Sequence, residues 1–155
     1  MRRWLWISLL VIVLDQLTKI LADQLLSYAQ PVEVMPMFNF TLLYNKGAAF
    51  SFLASAGGWQ RWFFLVLTLL VSAFIFNWLR KLKPHQLLQM VSLSLILGGA
   101  LGNLIDRAIY GHVIDFIDVY YQQYHWPAFN IADSAISIGA VLLIYDTLKN
   151  SHENS

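Results

Sequence analysis

The chain has 155 residues, of which 58% are hydrophobic and 12% charged, and its formal net charge at pH 7 is +1. Ordinary soluble domains are about 45–50% apolar and about 25% charged, so the composition excludes both a soluble globular domain and a disordered chain. A charge near zero offers no basic field for nucleic acid. The absence of cysteine excludes disulfides, thiolate zinc sites and a cysteine nucleophile. The composition predicts a polytopic membrane protein.

Four apolar segments reach the roughly 17–25 residues that a helix needs to cross a hydrocarbon core. The predicted spans, in chain order, are residues 4–22, 62–79, 87–105 and 131–148. The first begins after Met-Arg-Arg, but it contains Asp15 and Gln16 and no convincing cleavage site follows, so we interpret it as a retained helix rather than a signal peptide. The predicted fold is an all-α membrane bundle with a small β element, in one domain at 1–150 followed by a disordered polar tail at 151–155.

Lysine and arginine are distributed unequally between the two sets of flanks. The side that holds both termini has six of these residues, namely Arg2, Arg3, Arg80, Lys81, Lys83 and Lys149. The other side has three, namely Lys46, Arg61 and Arg107. Because positive residues concentrate in cytoplasmic loops, both termini are expected in the cytoplasm. The segments 23–61 and 106–130 are then expected to face outward.

The first outward segment has the alternation of a β-strand. Within residues 32–53, apolar residues alternate from 38 to 44 and again from 48 to 52, and Asn45-Lys46-Gly47 supplies a turn. We predict a two-stranded ribbon lying against the membrane surface, and we expect it to be mobile because two strands alone are marginal in water. The second outward segment is predicted to be a loop that reaches Pro127 just before the fourth helix.

Charged side chains inside a span are costly and indicate a functional site by default. Asp15 and Lys19 lie four residues apart, share one helix face and are expected to pair, either as a structural ion pair or in support of a site. Asp106 and Arg107, where the third helix leaves the membrane, are most simply an ion pair. Small residues that predict a packing face on the third helix are Gly98, Gly99 and Gly102.

Asp133 stands three residues into the fourth helix, just beneath the outer surface. The helix dipole, with Asn130 as a cap, accounts for a carboxylate there. The preceding segment, however, also delivers Asp115 and Asp118 to the same depth. Two carboxylates brought together share a proton, because like charges a few ångström apart cannot both ionise. Such a pair supplies the acid and the base that activate water against an amide.

Other chemistries have weaker support in the sequence. His112 and His125 lack a metal-ligand spacing such as HExxH, which disfavours a zinc site. Ser134 and Lys19 are candidates for a Ser-Lys dyad, but no G-x-S-x-G elbow accompanies them. A small transporter or proton-relay protein that uses the intramembrane carboxylates is the alternative class, although no paired halves with broken helices are visible. A non-catalytic assembly subunit is the third class.

Five blocks of sequence carry a resemblance to a known family. In chain order they are DQLTK at 15–19, NKGAAFS at 45–51, GGALGNLIDR at 98–107, VIDF at 113–116 and FNIAD at 129–133. With these blocks in this order and on the expected segments, the chain resembles the bacterial lipoprotein signal peptidases, or signal peptidase II, along most of its length. Asp118 is a nearby carboxylate that the family pattern does not require.

The resemblance implies an inner-membrane aspartic endopeptidase that cuts the signal peptide from a diacylglyceryl-modified prolipoprotein, just before the lipidated cysteine. The family's catalytic aspartates fall on Asp115 and Asp133. Its supporting positions fall on Asp15, Asn45, Gly47, Asn103, Arg107, Asn130 and Ala132, to which the intramembrane charges add Lys19 and Asp106. The resemblance also implies inhibition by globomycin and no metal or organic cofactor. We expect a monomer whose outer ribbon, around residues 45–52, closes on the substrate as a clamp.

Overall fold

A computed structural model describes residues 2–47 and 58–153. Its helices are α1 (Arg2–Leu25), α2 (Gln60–Lys81), α3 (Leu87–Ile109) and α4 (Ile131–Glu153). Its strands are β1 (Val32–Met35), β2 (Phe38–Asn45), β3 (Val113–Tyr121) and β4 (Tyr124–His125). All four helices are long and apolar enough to cross a membrane, and they include the four predicted spans, so the prediction of four long apolar helices is confirmed. Because α4 continues to Glu153, residues 151–153 are helical and not part of the disordered tail that we predicted.

The helix α3 lies at the centre of the bundle and contacts each of the other three helices. In the most apolar part of α3, 56% is buried inside the protein, against 28% or less in the other helices, so most of the surface of the other three faces the outside of the bundle. Glycines permit the close approach: a Cβ on Gly102 would lie 2.6 Å from Asp15 Oδ2 of α1. Gly99 in turn lies directly against the backbone carbonyl of Ala132 in α4. The predicted packing face is confirmed.

The β-structure differs from the prediction. β2 pairs with β1 on one edge and with β3 on the other, in a four-stranded antiparallel sheet of order β1-β2-β3-β4. The second outward segment, predicted to be a loop, contains the nine-residue strand β3, so that prediction is wrong. Its pattern was hidden because Asp115 and Asp118 interrupt the apolar run, yet both are buried. The second half of the predicted ribbon, at 48–52, lies outside the described residues.

Pairing along both edges changes what is expected of β2. We now expect the amides of residues 38–40 to resist hydrogen exchange whether or not a ligand is bound, because β1 occupies one edge of β2 there and β3 occupies the other. Exchange measured by mass spectrometry in nanodiscs, with and without globomycin, is the test. β1 lies at the end of the sheet order and serves as the internal control that exchanges faster. Protection of residues 38–40 that appears only with globomycin would restore the mobile clamp.

Candidate active site

The first turn of α4 holds Asp133 through two reciprocal hydrogen bonds. The backbone N–H of Asp133 donates to Asn130 Oδ1 at 2.9 Å, and the backbone N–H of Asn130 donates to Asp133 Oδ2 at 3.3 Å. This is the arrangement of a capping box, with Asp in place of the usual Glu or Gln. It confirms Asn130 as the predicted cap. Hydrogen bonds within the first turn of α4 therefore hold the Asp133 carboxyl group in place without a substrate.

Asp115 lies on β3 and is 3% exposed. Asn130 Nδ2 donates to Asp115 Oδ1 at 2.8 Å, and Asn45 Nδ2, from the end of β2, donates to Asp115 Oδ2 at 3.2 Å. Asn130 thus contacts both carboxyl groups, Asp115 through its side chain and Asp133 through its backbone. Asn130 therefore links β3 to the start of α4 and brings the carboxyl groups of Asp115 and Asp133 to the same site.

The environment of Asp115 changes its acidity. Burial raises the pKa of Asp115 to about 7, and the negative charge of Asp133 adds to the increase. Hydrogen bonds from Asn45 and Asn130 lower the pKa but do not offset the burial. A carboxyl group that changes charge near neutral pH is suited to proton transfer in a reaction.

The raised pKa of Asp115 predicts a pH-dependent stability. The unfolded carboxyl group ionises near 3.8 and the folded one near 7, so wild-type stability should fall as the pH rises through this interval and level off above it. Asn cannot ionise. The stability of Asp115→Asn relative to wild type should therefore increase by about 1.4 kcal/mol per pH unit across the interval. Thermal unfolding in detergent between pH 4 and pH 8 measures this, and a pH-independent difference would contradict it.

A buried ion cluster between α1 and α3 adjoins the two carboxyl groups. Lys19 Nζ lies 2.8 Å from Asp15 Oδ2 and 2.8 Å from Asp106 Oδ2, and none of the three side chains is more than 1% exposed. The predicted Asp15–Lys19 pair is confirmed. The predicted Asp106–Arg107 pair is wrong, because Arg107 donates instead to the Gly47 carbonyl oxygen at 2.8 Å. Adjacent helix positions point about 100° apart, so the two side chains diverge.

Two contacts tie this cluster to α4. Asn103 Oδ1 accepts a hydrogen bond from Lys19 Nζ at 2.9 Å, and Asn103 Nδ2 donates to Asp133 Oδ1 at 2.8 Å. Asp15 Oδ1 accepts from the backbone N–H of Ala132 at 2.9 Å. One connected network therefore holds every supporting position named from the sequence, namely Asp15, Lys19, Asn45, Gly47, Asn103, Asp106, Arg107, Asn130 and Ala132.

A cavity of about 730 Å³ lies beside the two carboxyl groups. Its polar side includes Asn45, Asn103, Arg107, Asp115 and Asp133. Its apolar side includes Phe64, Val113, Trp126, Phe129, Ile136 and Ile138. A mostly apolar cavity of this size, with a few convergent polar groups, is typical of a site for a largely apolar ligand.

Sequence reasoning missed two contributors to this region. Phe64 of α2 lines the cavity, and its ring centroid lies 5.4 Å from the guanidinium carbon of Arg107. Nothing in an apolar span distinguishes this Phe from its neighbours. Gln16 Nε2 donates to Asp106 Oδ1 at 2.8 Å. Gln16 lies three residues before Lys19 and so shares its helix face, and this spacing in the sequence could have identified Gln16 as part of the cluster.

Asp118 belongs to a separate cluster on the sheet. Thr41 Oγ1 and Asn39 Nδ2 donate to Asp118 Oδ2 at 3.0 and 3.2 Å, and His125 Nδ1 lies 2.8 Å from Asp118 Oδ1. Burial opposes ionisation, but these hydrogen bonds outweigh it and hold the pKa of Asp118 below its usual value. Residues three apart on a strand point to opposite faces, so Asp118 does not join Asp115.

The residues proposed for a zinc site or a Ser-Lys dyad make other contacts and do not form either site. His112 packs against the ring of Tyr44, with centroids 4.5 Å apart, while His125 contacts the Asp118 cluster. Within residues 2–47 and 58–153, no three His, Cys, Asp or Glu side chains are grouped as metal ligands. Ser134 Oγ donates to the backbone carbonyl of Asn130, whereas Lys19 is engaged by the ion cluster.

Four membrane-length helices, with one buried and one partly buried carboxyl group beside a mostly apolar cavity, define a polytopic membrane protein with a carboxylate site. Comparison with known protein families then identifies the family of this membrane protein. Residues 7–149 match the family described as signal peptidase (SPase) II, so the chain belongs to the signal peptidase II family. The resemblance found in the sequence is confirmed.

Individual relatives agree. A lipoprotein signal peptidase of Alteromonas mediterranea is 54% identical over 99% of this chain and 84% of that protein. One of Burkholderia thailandensis is 58% identical over 94% of this chain and 87% of that protein. Two solved bacterial membrane enzymes superpose with TM-scores of 0.90 and 0.84, at 34% and 35% identity. The superpositions cover 100% and 96% of this chain and 93% and 94% of the solved chains.

Proposed function

We propose that this chain is a membrane-embedded aspartic endopeptidase that removes signal peptides from diacylglyceryl-modified prolipoproteins, cleaving before the lipidated cysteine. The observation that carries the proposal is the placement of Asp115 and Asp133. Both line one cavity, each accepts two N–H hydrogen bonds, and Asn130 contacts both. Membership of the signal peptidase II family, whose relatives are named lipoprotein signal peptidases, supports the substrate class.

The chemistry follows from a pair of carboxyl groups that shares one proton. Because the pKa of Asp115 is raised to about 7, the pair can hold one shared proton near neutral pH, so that one carboxyl group is the acid and the other is the base. The carboxylate removes a proton from water, the water oxygen attacks the scissile carbonyl carbon, and the carboxylic acid protonates the carbonyl oxygen. When the intermediate collapses, the C–N bond breaks, the departing nitrogen takes the proton that the first carboxylate removed from water, and a hydroxyl proton of the intermediate returns to the other carboxylate. One water is consumed, and the products are a peptide acid and the free amine of the lipidated cysteine.

The surroundings of the pair suit such a substrate. A signal peptide and its acyl chains are apolar, and the apolar residues that line the cavity include Phe64, Trp126 and Ile138. Side-chain and backbone N–H groups donate hydrogen bonds to both carboxyl groups. Fixed donors of this kind keep the reacting geometry ready before the substrate arrives.

The proposal places both termini in the cytoplasm and the site near the outer face of the inner membrane. The unequal distribution of lysine and arginine supports this orientation. Because the chain has no cysteine, single cysteines report it cleanly. A membrane-impermeant maleimide should label Gln123→Cys in intact spheroplasts and His85→Cys only after lysis. The opposite labelling would invert the orientation.

The decisive experiment incubates the purified chain in nanodiscs with a lipidated prolipoprotein. We expect a new product whose N-terminus is the lipidated cysteine, no such product with globomycin, and full activity in EDTA. The same precursor without the diacylglyceryl group is the matched control and should be cleaved far more slowly. Absence of cleavage, together with proton flux in proteoliposomes, would instead favour a proton-relay protein. Light scattering during the same purification tests the expected monomer.

A further inference from the structure

Three asparagine side chains surround the two carboxyl groups, and each is oriented by a group that can only donate. Backbone N–H groups donate to the Oδ1 atoms of Asn45 and Asn130, both at 2.9 Å. For Asn103 the donor is a side chain, the ammonium group of Lys19, also at 2.9 Å. An amide whose oxygen is held in this way turns its NH2 group to the other side. All three amides therefore present N–H groups to the carboxyl pair.

Every N–H donor of the Lys19 ammonium group is used. An ammonium group has three N–H bonds, and here they meet three acceptors, on Asp15, Asp106 and Asn103, at 2.8, 2.8 and 2.9 Å. The side chain is 1% exposed. This ammonium is the charged contact between the ion cluster and the amide that touches Asp133.

The remaining contact of Asn103 Oδ1 is too weak to orient the amide alone. Asn130 Nδ2 lies 3.3 Å from it, but the same NH2 group also faces Asp115 Oδ1 at 2.8 Å and the Ile114 carbonyl at 3.2 Å. Two hydrogens cannot serve three acceptors at once. Without Lys19, the Asn103 oxygen keeps only this weak contact, so the amide can rotate away from the position in which its Nδ2 donates to Asp133 Oδ1 at 2.8 Å.

We propose that Lys19 is a positioning residue for hydrolysis, which acts through Asn103 to keep an N–H donor on Asp133. The inference rests on the proposed function, because Asp133 is its end point. Asn103 lines the 730 Å³ cavity and Lys19 does not. Loss of Lys19 should therefore lower kcat much more than it changes KM.

A second, smaller cavity makes this proposal testable by chemical rescue. It has a volume of about 150 Å³, and its lining includes Lys19, Gln16, Asp23, Asp106 and Tyr110. Lys19→Ala would extend this cavity toward Asp15 and Asn103. A small alkylammonium ion could then reach the acceptors that the lysine has left.

The experiment measures cleavage of a lipidated prolipoprotein by Lys19→Ala in nanodiscs. We expect kcat to fall about 100-fold, the cost of a small misplacement of a catalytic group, with KM nearly unchanged. Ethylammonium should restore much of the lost kcat. Tetramethylammonium, which carries the same charge but no N–H, should not. Equal rescue by both ions, or an unchanged kcat, would overturn the proposal.

Asn103→Ala removes the far end of the relay and leaves Lys19 with its two carboxylates. It should lower kcat by a similar factor, and Lys19→Ala added to it should cause little further loss, because residues that act in series are not additive. Additive losses would overturn the proposal. If Lys19→Ala does not fold, Asn103→Ala alone decides, since an unchanged kcat contradicts the relay. An inactive wild type or a fully active Asp133→Asn would instead overturn the proposed function.

Discussion

Replacement of either Asp115 or Asp133 by Asn is expected to lower the turnover of a lipidated prolipoprotein by about 10²–10⁴-fold, the range that general acid–base catalysis supplies. Asn keeps the size and polarity of the side chain, but its amide can neither hold nor release the shared proton. Both residues line the same cavity, so either change removes half of the pair. Single-turnover cleavage assays in nanodiscs separate this chemical loss from slow product release.

Asp118→Asn is the matched control for these two variants. Asp118 is a buried carboxylate on the same strand, but its partners are Asn39, Thr41 and His125, and it is absent from the residues that line the cavity. Most of the activity should remain. An inactive Asp118→Asn beside an active Asp115→Asn would reverse the assignment. Retained globomycin binding in the inactive variants would show that they are folded.

Asp15→Ala is expected to lower the free energy of unfolding by roughly 3–5 kcal/mol, the cost of removing one partner from a buried ion pair. Asp15 is fully buried and accepts hydrogen bonds from Lys19 Nζ and from the Ala132 backbone N–H. The change leaves Lys19 short of an acceptor and the first turn of α4 without its link to α1. Because Asp133 lies on that turn, activity should fall with stability. Thermal unfolding in detergent and the cleavage assay measure the two effects.

Asp23→Ala tests whether the loss comes from the buried cluster. Asp23 is an aspartate on the same helix, but it is exposed, and its partner is the Tyr44 hydroxyl at 2.7 Å. Exposed polar pairs contribute little to stability, so this variant should unfold close to wild type. Similar losses in both variants would mean that α1 tolerates no change of charge, and that the ion cluster has no special role.

The two candidate catalytic carboxyl groups are held by different kinds of structure. Asp133 is placed by the cap of its own helix, through contacts within three residues of sequence. Asp115 is placed by the pairing of β2 with β3, and its donors come from distant parts of the chain. The second carboxyl group therefore reaches the first only after the sheet and the bundle have assembled.

The sequence by itself determined the features that depend on local pattern. The four spans follow from apolar runs of sufficient length, because a membrane helix satisfies its own backbone hydrogen bonds. The Asp15–Lys19 pair and the Asn130 cap follow from helix geometry, which places side chains four and three residues apart in contact. The family blocks then indicated which polar positions belong to one site.

Only the tertiary structure decided which distant residues meet. Lys19 reaches Asp106, and Asn103 reaches Asp133, because glycines of α3 allow α1 and α4 to approach closely at that depth. β3 could be identified only from its pairing with β2, because its two buried aspartates remove the alternation of apolar and polar residues that marks a strand. These contacts depend on how whole helices and strands are rotated and set against one another, and no short stretch of sequence contains that information.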